Sequence, residues 1–319
     1  MTSISILEGE IITLEPKTFD LVIKDGWIID GSGHPGFHGD VGIRGDRIEL
    51  IGQGISLPCQ RIIDAKGLVV TPGFIDTHSH ADAIVLIDPN EDSKIQQGVT
   101  TECIGNCGLS LAPVNKQYLI HLQRYVASIQ GGFLLSWNWE TMGQYLDQIK
   151  APSRNIAALI GHGAVRIAVV GPENRKPTPY EMDKMRDLVS ESMDEGAFGL
   201  SSGLIYPPGV FAETDELIEL CKTVARKGGL YATHIRGESD GLVEAVNEAI
   251  EIGQKSGVSV QISHHKAGGK KNWGKVKETL DRVEKAKSQG INIHLDVYPY
   301  TAGSTMLASI LPPWMHDGG

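Results

Sequence analysis

The 319-residue chain has only four cysteines, Cys59, Cys103, Cys107 and Cys221. Four are too few to staple a chain of this length, which excludes a disulfide framework and points to a reducing, cytoplasmic setting. Positive charge is also in short supply, with 29 Lys and Arg against 39 Asp and Glu and a formal charge of −10. Nucleic acids and anionic membranes are bound by clustered cations, so neither is an expected partner. No stretch approaches the ~18 consecutive apolar residues of a membrane span. Met1–Glu10 shows neither the basic start nor the apolar run of a secretory leader. What is present is a 41% hydrophobic composition with 38 glycines, enough for one large core and a small satellite domain.

Residues 20–72 are strand-and-turn material, with β-branched runs broken by Asp-Gly and Gly-Ser-Gly and a hairpin turn expected at Gly45-Asp46. They define a small β domain over 1–72. From 73 to 319 strands alternate with amphipathic helices, the signature of a parallel α/β architecture. Strands are expected at 73–78, 99–105, 155–161, 197–202, 229–234, 258–264 and 292–297. Thr178-Pro-Tyr-Glu181 is a capping box opening a helix that carries Met182, Met185, Val189 and Met193 on one face. A second helix near 215–227 keeps Leu217, Ile218, Cys221 and Val224 inward, and a third over 272–288 keeps Trp273, Val276, Leu280 and Val283 inward. Residues 116–150 break the rhythm as a lid or extended crossover. The spacing predicts a (β/α)8 barrel with about seven of its eight strands present.

Chemistry in such barrels gathers at the C-terminal strand ends. The first strand runs into Asp76-Thr-His78-Ser-His80-Ala-Asp82, and alternation along a strand turns His78 and His80 to one side, with Asp76 and Asp82 in phase. The later ends supply Cys107 in Gly105-Asn-Cys-Gly108, Tyr206, His234 and Arg236. Beyond them come His264, His265 and Lys266, then Asp296, Tyr298 and Tyr300. Several imidazoles and one thiolate converging on a barrel mouth suit zinc, which takes nitrogen and sulfur donors. Strand phase lets only His264 of the adjacent pair share the mouth with Lys266. His162 and His294 read as hydrogen-bonded core histidines, Cys103 and Cys221 as packing residues, and Arg236 and Lys266 could also be solvated rim charges.

The His78-Ser-His80 start, the N-terminal β segment and the strand-end His234 and His264 resemble the amidohydrolase superfamily. Gly98-Val-Thr-Thr, Gly105-Asn-Cys-Gly108, Gly203-Leu-Ile-Tyr-Pro-Pro-Gly209, Ser263-His-His-Lys266 and Asp296-Val-Tyr-Pro-Tyr300 resemble more narrowly its D-aminoacylase (N-acyl-D-amino-acid deacylase) family. The likeness runs over almost the whole chain. It implies zinc-dependent hydrolysis of the amide of N-acyl-D-amino acids, with the metal polarising the carbonyl and acidifying the attacking water. It also implies one tightly held Zn2+ on Cys107, His234 and His264, with a second, weaker position at His78 and His80. Lys266, Tyr298 and Ser304 then bind the substrate carboxylate with Arg236 nearby, and Tyr206 stands at the scissile carbonyl.

The resemblance further implies a metal-binding, proton-shuttling aspartate on an eighth strand. The chain offers only Asp296 and Asp317 near its end, so two other readings stand beside the deacylase. The deacylase reading expects that aspartate from elsewhere, an oligomer partner or a complementing C-terminal chain, whereas the first alternative is a catalytically inactive metal-binding fragment or a binding or assembly subunit. The other is a cyclic-amide hydrolase of the dihydroorotase kind, disfavoured because the fourth strand carries no lysine.

Overall fold

The computed structural model describes residues 4–7, 10–13, 18–56, 58–131 and 135–316, so Met1 to Ser3 of the leader reading and Asp317 lie outside the described residues. The chain divides into two compact units, Met1–Gly73 and Phe74–Gly319. In the first, β1 (Ile4–Leu7) and β2 (Glu10–Thr13) form an antiparallel pair. A five-stranded sheet follows from β3 (Phe19–Ile28), β4 (Phe37–Arg44), β5 (Arg47–Gly52), β6 (Cys59–Asp64) and β7 (Val69–Val70), ordered β5-β4-β3-β6 with β7 also on β3. Arg44 pairs with Arg47 across the expected two-residue turn, where Gly45 takes φ +57°. The core here is small, built on Phe19, Val22 and Ile55.

The second unit holds β8 (Phe74–Asp76), β9 (Val99–Ile104), β10 (Asn155–Gly161), β11 (Gly199–Gly203), β12 (Leu230–His234), β13 (Ser259–Ile262) and β14 (Ile293–Leu295). All seven pair in parallel and in chain order, giving a curled half-barrel with β8 and β14 at its edges. The middle strands are buried on both faces, as a parallel sheet flanked by helices requires.

Three strands end sooner than expected. Pairing in β8 stops at Asp76, whose carboxylate accepts from the His78 backbone N–H and turns the chain. β13 stops at Ile262 and β14 at Leu295. His78, His80 and His264 therefore stand just beyond strand ends, in turns that aim them individually.

Two short helices, α1 (Ile84–Ile87) and α2 (Asp92–Ile95), lead from β8 to β9. The 116–150 segment is the crossover from β9 to β10 and contains α3 (Leu119–Gln130) and α4 (Met142–Leu146). Next come α5 (His162–Val169) and α6 (Pro179–Asp194). The Thr178–Glu181 capping box is reciprocal, and Met185 and Val189 are fully buried beneath it. In α7 (Thr214–Arg226) all four expected core residues are buried. After α8 (Leu242–Ser256) comes α9 (Lys275–Ser288), whose inner face differs from expectation. Thr279, Val283 and Ala286 face inward, while Trp273 is 63% and Leu280 39% exposed. Thr279 turns inward because its hydroxyl meets His265 Nε2 at 2.9 Å, which rotates the buried stripe. His294 is also corrected. It is exposed and bonded to Asn292, because it sits on an edge strand rather than in a core. No helix among the described residues is long and apolar enough to cross a membrane.

Candidate metal centre

The site begins where β9 ends. Gly105 takes φ +77°, and a Cβ there would fall 2.1 Å from the Leu159 carbonyl oxygen, so the chain can turn here only on glycine. The Asn106 amide donates to the Cys103 carbonyl, and the Gly108 N–H donates to Ser201 Oγ at 2.9 Å. Held between these anchors, Cys107 adopts the left-handed region at φ 55° and is buried. His264 does the same at φ 39°, with its backbone N–H donated to the Asp296 carboxylate. Such backbone costs on the order of 1 kcal/mol or more per residue and persists where surrounding contacts over-determine it.

These two residues meet. Cys107 Sγ lies 3.6 Å from His264 Nε2 and 3.4 Å from His78 Nε2. The donor atoms of His78, Cys107 and His264 fall within 4.8 Å of one another, as do those of His234, Glu238 and His264. The His234 ring is 4.3 Å from that of His264, and the His80 ring is 5.4 Å from that of His78. His78 Nδ1 lies 3.6 Å from Asp296 Oδ1.

Electrostatics favour neutral imidazoles here. Burial, then the neighbouring His78 and His264, pushes His80 down to about 3. Burial likewise holds His234 well below its ordinary value, and lowers His264. Burial raises the Cys107 thiol, with Glu238 and Asp296 adding to it. A bound cation reverses that cost by replacing the proton.

The donor set fits zinc on direct grounds. His234 Nε2 and His80 Nδ1 are buried without a hydrogen-bond partner. An orphaned buried nitrogen costs about 1–3 kcal/mol, which a metal would offset. One sulfur and several imidazoles in reach of one another are the chemistry of a zinc site. Cys107, His78, His80, His234 and His264 could all hold metal.

A cavity of about 910 Å³ takes in Tyr206, Lys266, Tyr298 and Ser304 together with His80, His234 and His264. Lys266 Nζ lies 3.1 Å from His264 Nδ1 and 5.3 Å from the centre of the Tyr298 ring. The Tyr206 hydroxyl is 3.5 Å from His234 Nδ1 and 2.8 Å from Thr305 Oγ1. Arg236 does not join them. Its guanidinium is bound by Glu248 and by the Val210 and Ala212 carbonyls. His265 turns to α9, and His162 is fully buried against Glu216. Asp76 pairs with Lys94, whereas Asp82 is 1% exposed and burial pushes its carboxyl up to about 7.

Glu238 is the residue that sequence reasoning missed. Its Oε1 is 2.7 Å from His264 Nδ1 and 2.5 Å from Lys266 Nζ. Burial would raise this carboxyl, but the His264 hydrogen bond and the charges of His234, His264 and Lys266 bring it down to about 2. Strand phase gave no signal for it, because β12 ends at His234 and Glu238 lies in the loop beyond.

The profile of the amidohydrolase family matches residues 61–296. The chain is 43% identical over 298 residues to the D-aminoacylase of Alcaligenes xylosoxydans xylosoxydans, covering 92% of this chain and 60% of that protein. It is 39% identical over 293 residues to the N-acyl-D-glutamate deacylase of the same organism, covering 91% and 59%. Among solved structures, the N-acyl-D-glutamate deacylase of Bordetella bronchiseptica superposes with a TM-score of 0.81 at 37% identity, over 89% of this chain and 59% of that one. That structure holds zinc and a phosphonate inhibitor mimicking the tetrahedral intermediate. The chain thus spans about 60% of the length of the curated relatives it matches.

Proposed function

The chain belongs to the amidohydrolase family, and from that premise we propose that it carries the metal centre of a hydrolase cleaving the amide bond of N-acyl-D-amino acids. The observation that carries this reading is the Lys266 ammonium, 3.1 Å from His264, beside the Cys107–His264 pair and in the same cavity as Tyr206 and Tyr298. A fixed cation at that place suits a substrate whose carboxylate lies close to the bond being broken. The D configuration follows the relatives, named for D-amino-acid substrates.

His264 is the donor common to both clusters, with Cys107 and His78 on one side and His234 on the other, and His80 stands beside His78. A zinc ion held there would supply Lewis-acid polarisation of the amide carbonyl and an acidified water. Lys266 acts as a point charge that orients the carboxylate, with Tyr298 and Ser304 beside it. Burial pushes the Tyr206 phenol well above its ordinary value, so it keeps its proton and donates a hydrogen bond to the carbonyl oxygen as negative charge develops. The cyclic-amide reading is weaker, because β11 is Gly-Leu-Ser-Ser-Gly and brings no lysine to the site. A reducing compartment such as the cytoplasm suits a thiolate donor.

A second reading is favoured by the sheet edges. Phe74 and Ile75 on β8 are 57% and 65% exposed, and Val297 beyond β14 is 71% exposed. Apolar open edges recruit strands from elsewhere, so a complementing polypeptide would seat between β8 and β14. One experiment separates the readings: zinc analysis of the purified chain together with a panel of N-acetyl-D- and N-acetyl-L-amino acids. The deacylase reading expects stoichiometric zinc and D-selective hydrolysis that a chelator abolishes. Zinc without hydrolysis favours the second reading, and a chain that takes up no zinc defeats both.

A further inference from the structure

His264 faces two neighbours with its two ring nitrogens. Nε2 points to Cys107 Sγ at 3.6 Å, and Nδ1 points to Glu238 Oε1 at 2.7 Å. A neutral imidazole carries one proton, so whichever nitrogen donates, the other accepts or ligates. Only Nε2 faces the thiol, so the useful proton position is Nδ1. The difficulty is Lys266, whose ammonium lies 3.1 Å from the same Nδ1. An ammonium can only donate. Left alone with His264 it would donate to the Nδ1 lone pair and force the ring proton onto Nε2, the nitrogen that must ligate. Glu238 Oε1 accepts from Lys266 Nζ at 2.5 Å while standing in reach of Nδ1–H.

We propose that Glu238 is a positioning residue that holds His264 in its metal-binding tautomer by accepting both the His264 Nδ1–H and the Lys266 ammonium, an inference that rests on the metal-centre reading above. The carboxylate binds no substrate and acts through His264. It also joins the metal donor to the cation expected to hold the substrate carboxylate, so the two are set by one oxygen atom.

Cobalt(II) titration of the purified chain tests this, read by the thiolate-to-cobalt absorption and by the dissociation constant. Glu238→Ala is expected to weaken cobalt binding about 10–100-fold, the range typical of lost carboxylate support to a ligating histidine. Glu238→Gln, which keeps an acceptor without charge, falls between Ala and the parent chain and guards against a folding artefact in Ala. The decisive variant is Glu238→Ala combined with Lys266→Met. With the competing ammonium gone, it recovers at least half of the loss on a logarithmic scale, which a merely structural ion pair would not do. Asp240→Asn, an exposed acid two residues away that pairs with Lys271, stays within twofold of the parent. The proposal is overturned if Glu238→Ala binds within twofold of the parent, or if the double variant is no tighter than the single. It is also overturned if loss of Glu238 reshapes the cobalt d–d bands, which would make Glu238 a ligand. A parent chain that takes up no cobalt overturns this inference and the metal-centre reading together, whereas tight parent binding with an unaffected Glu238→Ala overturns the inference alone.

Discussion

The middle of the seven-strand sheet and its β8 edge are written in similar apolar sequence and end in opposite environments. Leu200 on β11, Tyr231 on β12 and Ile262 on β13 are sealed from solvent, while Phe74 and Ile75 on β8 stand 57% and 65% exposed. The site repeats the contrast. Cys107 and His264 follow β9 and β13 and are held by left-handed backbone, with His264 also bound by the Asp296 and Glu238 carboxylates, and His234 closes β12. His78 and His80 follow edge strand β8, and neither has left-handed backbone. A strand with two neighbours fixes both its packing and the aim of the residue at its end. A strand with one neighbour fixes neither as firmly.

That contrast can be broken most severely at the metal. Cys107→Ala should weaken zinc binding by at least about 1000-fold, roughly 4 kcal/mol, because it removes the charged donor from the middle of the sheet. His80→Ala, at the edge, should cost about tenfold. Competitive titration against a chromophoric chelator measures both, and equal losses would erase the distinction. Packing should follow the same order. Leu200→Ala should cost about 2–5 kcal/mol in denaturant unfolding, against under about 1 kcal/mol for Ile75→Ala.

Acidity offers a finer cut. Burial holds His80 at about 3, so it is neutral throughout the range from pH 6 to 8 and adds no proton dependence there. Burial raises the Cys107 thiol, so metal uptake must displace its proton and affinity must rise with pH. Zinc affinity should therefore climb by up to about tenfold per pH unit between pH 6 and 8. The Cys107→Ala chain should lack that slope. A different effect is expected at Lys266→Ala, on substrate and not on metal. It should retain zinc while the KM for an N-acetyl-D-amino acid rises by about tenfold, as loss of a carboxylate anchor predicts. A fall in zinc content instead would move Lys266 from the substrate side to the metal side.

The sequence carried the middle of the sheet well and its edges poorly. The switch from two-residue to helical periodicity located β9 to β13, and the Thr178–Glu181 box located α6, because these elements pack on both sides as their patterns assume. At β8, β13 and β14 the pattern overran the strands, since alternation shows which residues could pair and not where pairing stops. The stripe on α9 was misplaced for a related reason: apolar type favoured Trp273 and Leu280, while a single hydroxyl contact from Thr279 to His265 decided which face turned inward. Cys107 was legible because the flanking glycines announce a tight turn. The left-handed backbone of His264 was not, as histidine carries no comparable signal. Glu238 stayed hidden because it lies in the loop beyond β12, where strand phase no longer binds, and its role depends on Lys266 in the loop beyond β13.

The central claim is that the tight metal is held from the middle of the sheet through a sulfur donor. X-ray absorption of the chain loaded with one equivalent of zinc tests it directly. A single sulfur scatterer at about 2.3 Å beside two or more imidazole nitrogens at about 2.0 Å is the expected spectrum. A zinc shell containing only nitrogen and oxygen would put the metal elsewhere and contradict the account.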